Sequence, residues 1–136
     1  MVTLEAILER NNLNRAYKQV KANRGGPGVD GMTVDELLDY LRAHAVEMVE
    51  TVKAGKYKPQ PVRRVMIPKE EKGKFRPLGI PTAVDRVIQQ AIAQKLSDEY
   101  EPVFSLHSHG FRPCRSCRTA IDEAFDIANQ GYVWVV

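Results

Sequence analysis

Lysine and arginine side chains are concentrated in one short part of this sequence, where they could bind phosphate groups. Residues 53–76 carry nine Lys/Arg against two Asp/Glu, whereas the segments 1–52 and 77–136 each carry two more acidic than basic residues. The formal net charge of +3 therefore conceals one strongly cationic segment. Such a segment is typical of proteins that bind a polyanion, which can be a nucleic acid, a nucleotide or a membrane surface. Charge alone also allows a solvated loop that only keeps the protein soluble.

Two short β-prone runs within and beside this segment predict a β-hairpin. They are VRRVMIP at 62–68 and FRPLGIP at 75–81, and the polar turn between them contains Gly73. Because strand side chains alternate between two faces, Arg63 should share a face with Val65 and Ile67. Guanidinium groups bind two phosphate oxygens at once. Cations gathered at this hairpin could therefore hold a triphosphate or the backbone of a nucleic acid strand.

A glycine-rich stretch, NRGGPGVDG at 23–31, could present backbone N–H groups to a phosphate. It lacks the Lys-Ser/Thr pair of a nucleotide-binding P-loop, and no predicted strand precedes it. A simple connection between two helices is the alternative interpretation.

Four possible zinc ligands lie close together in the sequence: His107, His109, Cys114 and Cys117. Gly and Pro separate the two pairs, and the chain has no further cysteine, so we expect no zinc site. A redox role for the C-x2-C pair is not favoured either, because no thioredoxin-like βαβ pattern surrounds it.

Paired catalytic carboxylates and nucleophile–histidine patterns are not evident in the sequence. Asp98, Glu99 and Glu101 cluster near a predicted helix end, where a solvated surface explains them. The catalytic groups of any enzyme containing this chain should therefore lie elsewhere.

The periodicity of apolar residues and the helix caps predict an α+β fold that is mostly helical with a small antiparallel sheet. Asn12 is expected to cap the second helix, Thr33 and Glu36 to form a capping box, and Thr82 to cap the fourth helix with Asp85 beside it. The run YVWVV is expected to be a buried strand. The predicted helices cover 3–9, 13–22, 33–54, 82–101 and 116–129, and the predicted final strand covers 132–136.

Composition is that of an ordinary globular domain: 136 residues, 43% hydrophobic and 27% charged. No apolar run approaches the roughly 18 residues of a membrane span. Two cysteines do not form a disulfide scaffold. We therefore expect a cytoplasmic protein that does not bind membranes.

Three stretches of the chain resemble the N-terminal part of group II intron-encoded reverse transcriptases, also called maturases. NRGGPGVDGMT is similar to the N-terminal extension loop of that family, and VRRVMIPKEEKGKFRPLGIPTAVDRVIQQAI to its fingers hairpin and following helix. SHGFRPCRS resembles its SxGFRPxRS segment, with Cys114 and Cys117 where small residues are common and His109 where an aromatic residue is usual.

The resemblance implies a division of roles among the cations and glycines. Residues 1–54 would be a helical N-terminal extension whose loop at 23–31 contacts the template. Residues 55–136 would be the fingers of a right-hand polymerase, with a basic hairpin at 62–80, a long helix at 82–101 and the start of a palm strand at 132–136. Binding of the incoming deoxynucleotide falls to Arg63, Lys69 and Arg76. Binding of template RNA falls to Asn23, Arg24, Gly25, Gly26, Gly28, Arg64 and Arg112.

In such an enzyme two Mg²⁺ ions held by palm carboxylates perform polymerisation. The resemblance places those carboxylates after residue 136, so the chain is expected to be truncated before the catalytic palm, to bind no metal and to be inactive alone. The implied partners are template RNA and intron RNA, with a DNA primer and deoxynucleotides for the parent enzyme. The edge left by a missing palm could also favour a homodimer.

Two other functions stay open at this level. The chain could be a non-catalytic RNA-binding maturase module that assists intron splicing, or a basic globular domain of another kind. Retron, CRISPR-associated and diversity-generating reverse transcriptases share parts of the same pattern.

Overall fold

The computed structural model describes residues 1–132 and confirms the α+β class. The chain divides into two units, residues 1–96 and residues 97 onward. The predicted division at residue 54 rests on functional resemblance and stays a prediction, and all of the predicted last strand except Tyr132 lies outside the described residues. In chain order the elements are α1 (Leu4–Ile7), α2 (Arg10–Ala22), α3 (Leu37–Lys53), β1 (Arg63–Pro68), β2 (Phe75–Ile80), α4 (Ala83–Tyr100), a 3-10 turn (Glu101–Val103) and α5 (Cys117–Asn129).

Local side-chain caps begin several helices at the predicted positions. Thr3 accepts a hydrogen bond from the Ala6 N–H at 3.2 Å, and Ser116 and Thr119 form a reciprocal capping box at α5. The Thr33–Glu36 box also forms, because the Thr33 N–H donates to Glu36 Oε2 at 2.9 Å. The regular helix α3 nevertheless begins at Leu37. The prediction of a start at 33 is therefore early, since residues 34–36 form a turn between the box and the helix.

The prediction that Asn12 caps the second helix is wrong. Helix α2 already begins at Arg10, and Asn12 is only 4% exposed in its first turn. Asn12 Nδ2 donates to the Ile7 carbonyl at 2.8 Å and to the Ala91 carbonyl at 2.9 Å. Its Oδ1 accepts from Gln94 Nε2 at 2.9 Å. A buried polar group is tolerated when it is hydrogen-bonded, so Asn12 joins α2 to α4 instead of starting α2.

The core of the first unit lies between α2, α3 and α4. Leu37 and Val87 are the largest fully buried side chains in the described part of the chain. The small residues Ala16, Ala83 and Ala91 are completely inaccessible, which lets the helices approach closely. The periodic apolar stripes of the sequence therefore predicted the buried faces. Other core members are Val20, Val34, Met48, Val84 and Ile88.

A buried carboxylate connects the segment before the hairpin to the first turn of α4. Asp85 is 2% exposed and accepts hydrogen bonds from the Tyr57 hydroxyl at 2.6 Å, the Gln60 N–H at 3.1 Å and the Thr82 hydroxyl at 2.7 Å. Burial, with the hydrogen bond to Asp85, raises the pKa of the Tyr57 hydroxyl above its ordinary value. The approach to β1 is thus fixed to α4 by a fully satisfied polar group.

The predicted hairpin is confirmed as a two-stranded antiparallel sheet. Arg63 pairs with Ile80, Val65 with Leu78 and Ile67 with Arg76. The turn is closed by the Lys69 N–H, which donates to the Lys74 carbonyl at 2.9 Å, and Gly73 has a φ of +81°. A left-handed φ of this kind is readily adopted by glycine, which explains the residue at the tip.

No helix among residues 1–132 combines the length and the apolar character needed to cross a membrane.

Candidate nucleic-acid and nucleotide interface

The cationic segment of the sequence is an exposed surface in the structure. All nine Lys/Arg residues between 53 and 76 are exposed. Within residues 1–132, two of the nine form ion pairs: Lys53 with Glu50 at 3.4 Å and Lys74 with Glu71 at 2.5 Å. Exposed pairs of this kind contribute little stability. The other seven cations of the segment are exposed and form no ion pair within residues 1–132, so they are available to an external anion.

The hairpin register decides which of these cations can act together. Residues directly opposite in an antiparallel pair share a face, so Arg63 and Arg76 lie on the same face, with Val65 and Leu78 between them. Arg63 pairs with Ile80 and Arg76 pairs with Ile67, so the two arginines lie four residues apart along the hairpin. At the usual rise per residue of a β-strand, this separation is about 13 Å. Arg64, which the resemblance assigns to template, lies on the opposite face, where it pairs with Gly79.

A hollow at the turn end of the hairpin brings together two of the three predicted nucleotide ligands. Lys69 and Arg76 border this hollow of about 420 Å³ with Pro68, Glu70 and Glu71. The two glutamates oppose an anion there, although the Lys74 ammonium already partners Glu71. The hollow is large enough for phosphate groups, and its cations come from both sides of the turn.

The third predicted nucleotide ligand, Arg63, lies beside the glycine-rich loop. A Cβ added to Gly26 would lie 3.5 Å from Arg63 Nη2. The structure therefore groups Arg63 with residues predicted to contact template. The hairpin face runs from the hollow at one end to the loop at the other.

The loop at 23–31 packs against the start of α4 through glycine. A Cβ on Gly28 would meet Thr82 Cα at 2.6 Å and Thr82 N at 2.8 Å, so only glycine fits there without backbone movement. In the earlier half of the loop, the Gly26 carbonyl accepts a hydrogen bond from Arg86 Nη2 at 3.0 Å. A Cβ on Gly25 would lie 2.2 Å from Arg86 Nη1. These glycines are thus explained by close contacts to α4.

Asn23 and Arg24 mark the end of α2 and the entry to this loop. Asn23 Oδ1 accepts from Gln19 Nε2 at 3.1 Å, and the side chains of both Asn23 and Arg24 are exposed. Arg24 has a φ of +47°, an uncommon conformation for a residue other than glycine. Both side chains are accessible to a ligand.

Arg86 is a residue that the sequence interpretation missed. It lies on α4 beside the buried residues Asp85 and Val87, and its Nε is buried without a hydrogen-bond partner among the described residues. A cation flanked by buried positions in a predicted helix was the available signal. The sequence could not show that its partner lies 60 residues earlier, in the glycine-rich loop.

Arg112, the remaining predicted template ligand, has its guanidinium occupied within the second unit. Its side chain is 7% exposed and forms an ion pair with Glu101 at 2.9 Å. Nε and Nη2 donate to Glu101 Oε1, Nη2 also to the Glu101 carbonyl, and Nη1 to the carbonyls of Ser105 and Ser108. The five N–H donors of an arginine are therefore all used internally. This arrangement gives Arg112 a structural role and leaves its template contact as an untested prediction.

The four residues weighed as zinc ligands, His107, His109, Cys114 and Cys117, have separate surroundings in the structure. His107 and His109 both contact Glu123, the latter from Nε2 to Oε2 at 2.5 Å. These bonds hold the pKa of the Glu123 carboxyl below its ordinary value. Cys114 and Cys117 are exposed and free. Among residues 1–132 no group of three or more His, Cys, Asp or Glu residues is arranged to hold a metal ion.

Comparison with known proteins relates this chain to proteins encoded in introns. Group II intron-encoded protein LtrA of Lactococcus lactis subsp. cremoris is 43% identical over 106 residues, which are 78% of this chain and 18% of that protein. The chain is a relative of the group II intron-encoded proteins. Protein YkfC of Escherichia coli is 42% identical over 120 residues, 87% of this chain and 31% of YkfC. A 91 kDa protein in the cob intron of Schizosaccharomyces pombe is 33% identical over 126 residues, 88% of this chain and 14% of that protein.

This relationship to group II intron-encoded proteins confirms the resemblance drawn from the three sequence stretches. The chain spans only 14% to 31% of the length of the three relatives. No family model matches the chain.

Proposed function

We propose that this chain is the template- and nucleotide-binding fingers part of a group II intron reverse transcriptase. The observation that carries the proposal is the exposed hairpin face, which joins the hollow bordered by Lys69 and Arg76 to Arg63 and the glycine-rich loop. Kinship with proteins encoded in group II introns supports intron RNA as the partner.

In this proposal the two ends of the face bind different parts of the substrate. Lys69 and Arg76 bind the triphosphate of the incoming deoxynucleotide, because arginine can contact two phosphate oxygens and both cations border one hollow. Arg63, which the resemblance assigns to the nucleotide, lies beside Gly26 at the loop end of the face, where it can also contact the template backbone. Asn23, Arg24 and the backbone of Gly25, Gly26 and Gly28 hold template RNA.

Polymerisation itself requires Mg²⁺ bound by carboxylates of the parent enzyme. This chain supplies the substrate side of the site and does not extend primers alone. Primer extension by the purified chain above a no-protein control would contradict that part of the proposal.

The alternative function is an RNA-binding maturase module without polymerase activity, which the kinship with intron-encoded proteins also favours. Both functions require RNA binding by the same cationic surface. Nucleotide binding at the Lys69–Arg76 hollow distinguishes the polymerase from the maturase module.

The direct test is the salt dependence of RNA binding. We expect the purified chain to bind single-stranded RNA with little sequence preference, and the affinity to fall with salt at a log–log slope of about −0.7 per phosphate contact. Replacing Arg63 by Ala should remove about one phosphate contact and so reduce the magnitude of the slope by about 0.7. Arg118→Ala is a charge-matched control, since Arg118 is an exposed arginine outside the cationic segment.

An affinity that is independent of salt would show that the cationic surface does not bind the RNA. Equal effects of Arg63→Ala and Arg118→Ala would have the same meaning. Nucleotide binding would then be measured separately, as titration of a deoxynucleoside triphosphate with Mg²⁺ into the chain and its Arg76→Ala variant.

A further inference from the structure

The glycine-rich loop needs anchors because its composition makes it costly to order. Residues 23–31 contain Gly25, Gly26, Gly28 and Gly31, and glycine loses more backbone freedom on folding than any other residue. The later half of the loop has local anchors. The Gly31 N–H reaches the Gly28 carbonyl at 3.4 Å, the Met32 N–H donates to Asp30 Oδ1 at 3.2 Å, and Gly28 packs on Thr82.

Among the contacts of residues 1–132, Arg86 is the side chain of α4 that holds the earlier half of the loop. Its Nη2 donates to the Gly26 carbonyl at 3.0 Å. Its Nη1 occupies the space that a Cβ of Gly25 would need, at 2.2 Å. A hydrogen bond from a guanidinium to a carbonyl is stronger than a neutral one, so this contact can decide whether the Gly25–Gly26 segment stays in place.

From these contacts we propose that Arg86 is a positioning residue. It fixes Gly25 and Gly26 next to Arg63 so that the loop and the hairpin face form one RNA-binding surface. This inference rests on the proposed template-binding function of the loop, and Arg86 itself is assigned no contact to RNA. It also explains why position 25 is glycine, because any side chain there displaces the guanidinium.

The inference is tested first without RNA, by limited trypsin cleavage after Arg24. Arg24 is exposed at the start of the loop, and cleavage there requires the local backbone to open. The cleavage rate is compared with that after Lys95 in the interior of α4, so that global unfolding is separated from loop opening. Losing one charge-assisted hydrogen bond should speed cleavage after Arg24 about tenfold relative to Lys95.

Four variants and one control make the test specific. Arg86→Ala removes the anchor, and Gly25→Ala displaces it while leaving Arg86 in the chain. Both should open the loop, and the double variant should be no more open than Arg86→Ala, because the clash requires both side chains. Arg86→Lys should restore part of the protection, since lysine can donate to Gly26 but without the fixed fork of arginine. Arg42→Ala, an exposed arginine of α3, should leave the cleavage ratio unchanged.

Additive effects of Gly25→Ala and Arg86→Ala would overturn the inference, as would an unchanged cleavage ratio in Arg86→Ala. If Arg86→Ala folds poorly, the ratio in Gly25→Ala and Arg86→Lys still decides.

The same variants are then titrated with single-stranded RNA. A positioning role predicts that Arg86→Ala binds RNA about tenfold more weakly than the wild-type chain. It also predicts that the variants rank in RNA affinity as they rank in protection from cleavage after Arg24. Arg86→Ala could instead reduce the log–log salt slope of RNA affinity by about 0.7 while leaving the ratio of cleavage after Arg24 to cleavage after Lys95 unchanged. That result would make Arg86 a direct phosphate ligand and contradict the inference. Wild-type chain that fails to bind RNA would refute the proposed function, while the cleavage experiment would still decide the role of Arg86.

Discussion

Gly25 and Gly28 both lie where a Cβ atom would clash with a neighbour, but the neighbours are of different kinds. At Gly25 the obstacle is the end of a flexible arginine, whereas at Gly28 it is the main chain of Thr82 and Pro81. A side chain can rotate away and lose only its own contacts, whereas main-chain atoms at the start of a helix cannot move without displacing the helix. The two positions should therefore respond differently to the same substitution.

We expect Gly28→Ala to lower the free energy of unfolding by about 1–3 kcal/mol, the usual cost of overpacking a well-packed site. Gly26→Ala is the matched control, because a Cβ there would be 3.5 Å from its neighbour, an ordinary contact. Urea unfolding followed by circular dichroism measures both. Similar stabilities for the two variants would show that the loop moves freely away from α4.

Arg76 and Lys74 should also differ, although both are exposed cations near the hairpin turn. Lys74 is next to Gly73 and already pairs with Glu71, whereas Arg76 leaves an ordered strand opposite Ile67 and borders the hollow. In a full-length enzyme, Arg76→Ala should lower incorporation of deoxynucleotides about tenfold, and Lys74→Ala much less. Steady-state incorporation kinetics on a fixed primer–template measure this, with RNA affinity titrated separately. Equal losses, or losses confined to RNA affinity, would contradict nucleotide binding by Arg76.

At the scale of elements, buried polar side chains join the helices in addition to apolar packing. Asn12 bridges α2 to α4 through Ala91 and Gln94, and Asp85 bridges α4 to the segment before β1. Both groups are buried and fully bonded. Removing either would leave buried partners unsatisfied.

We expect Asn12→Ala to destabilise the first unit by about 1–3 kcal/mol, because the carbonyl of Ala91 and the amide of Gln94 lose their partner. Asn11→Ala tests the same residue type one position earlier, where the side chain is exposed, and should be nearly neutral. Chemical denaturation of the two variants gives the comparison. A neutral Asn12→Ala would mean that water replaces the amide.

In the second unit, the stability of α5 should depend on pH through Glu123. Hydrogen bonds from His107 and His109 hold the pKa of the Glu123 carboxyl below its ordinary value of 4.5. A depressed carboxyl pKa contributes stability that is fully present above 4.5 and is lost as the pH falls through the pKa of the folded state. Amide hydrogen-exchange protection of α5 should therefore decrease on acidification.

Glu123→Gln is the control for this pH dependence, because an amide cannot titrate. Glu36, whose carboxyl pKa is lowered by its hydrogen bonds to Thr33, titrates in the same direction. The part of the pH dependence that comes from Glu123 is therefore the difference in α5 hydrogen-exchange protection between the wild-type chain and Glu123→Gln. No difference between the two would show that the His–Glu contacts do not stabilise α5.

For the whole molecule, sequence reasoning succeeded where the determining contacts are local. The hairpin, the cap at Thr82, the helix starts near Thr3 and Ser116 and the buried stripes follow from residues a few positions apart. It failed for Asn12 and Arg86, whose partners lie 79 and 60 residues away in the chain. No periodicity or cap pattern encodes such distances.

The candidate site shows the same limit. Resemblance grouped Arg63, Lys69 and Arg76 in one role, but the register separates Arg63 from the hollow that the other two border. Arg112 carried the clearest motif of its region, yet its donors are used within its own unit. Which cations are free depends on tertiary contacts that a single sequence does not display.

The bridge from Asn12 to α4 has a consequence for synthesis on the ribosome. The chain emerges from its N-terminus, so α2 is made long before Ala91 and Gln94, which it needs as partners. Until about 80 further residues have been translated, the amide of Asn12 can bond only to water or to the nearby Ile7 carbonyl. Helix α2 should therefore dock late, when α4 leaves the exit tunnel. A nascent chain stalled before α4 should present its first helices to chaperones in an undocked form.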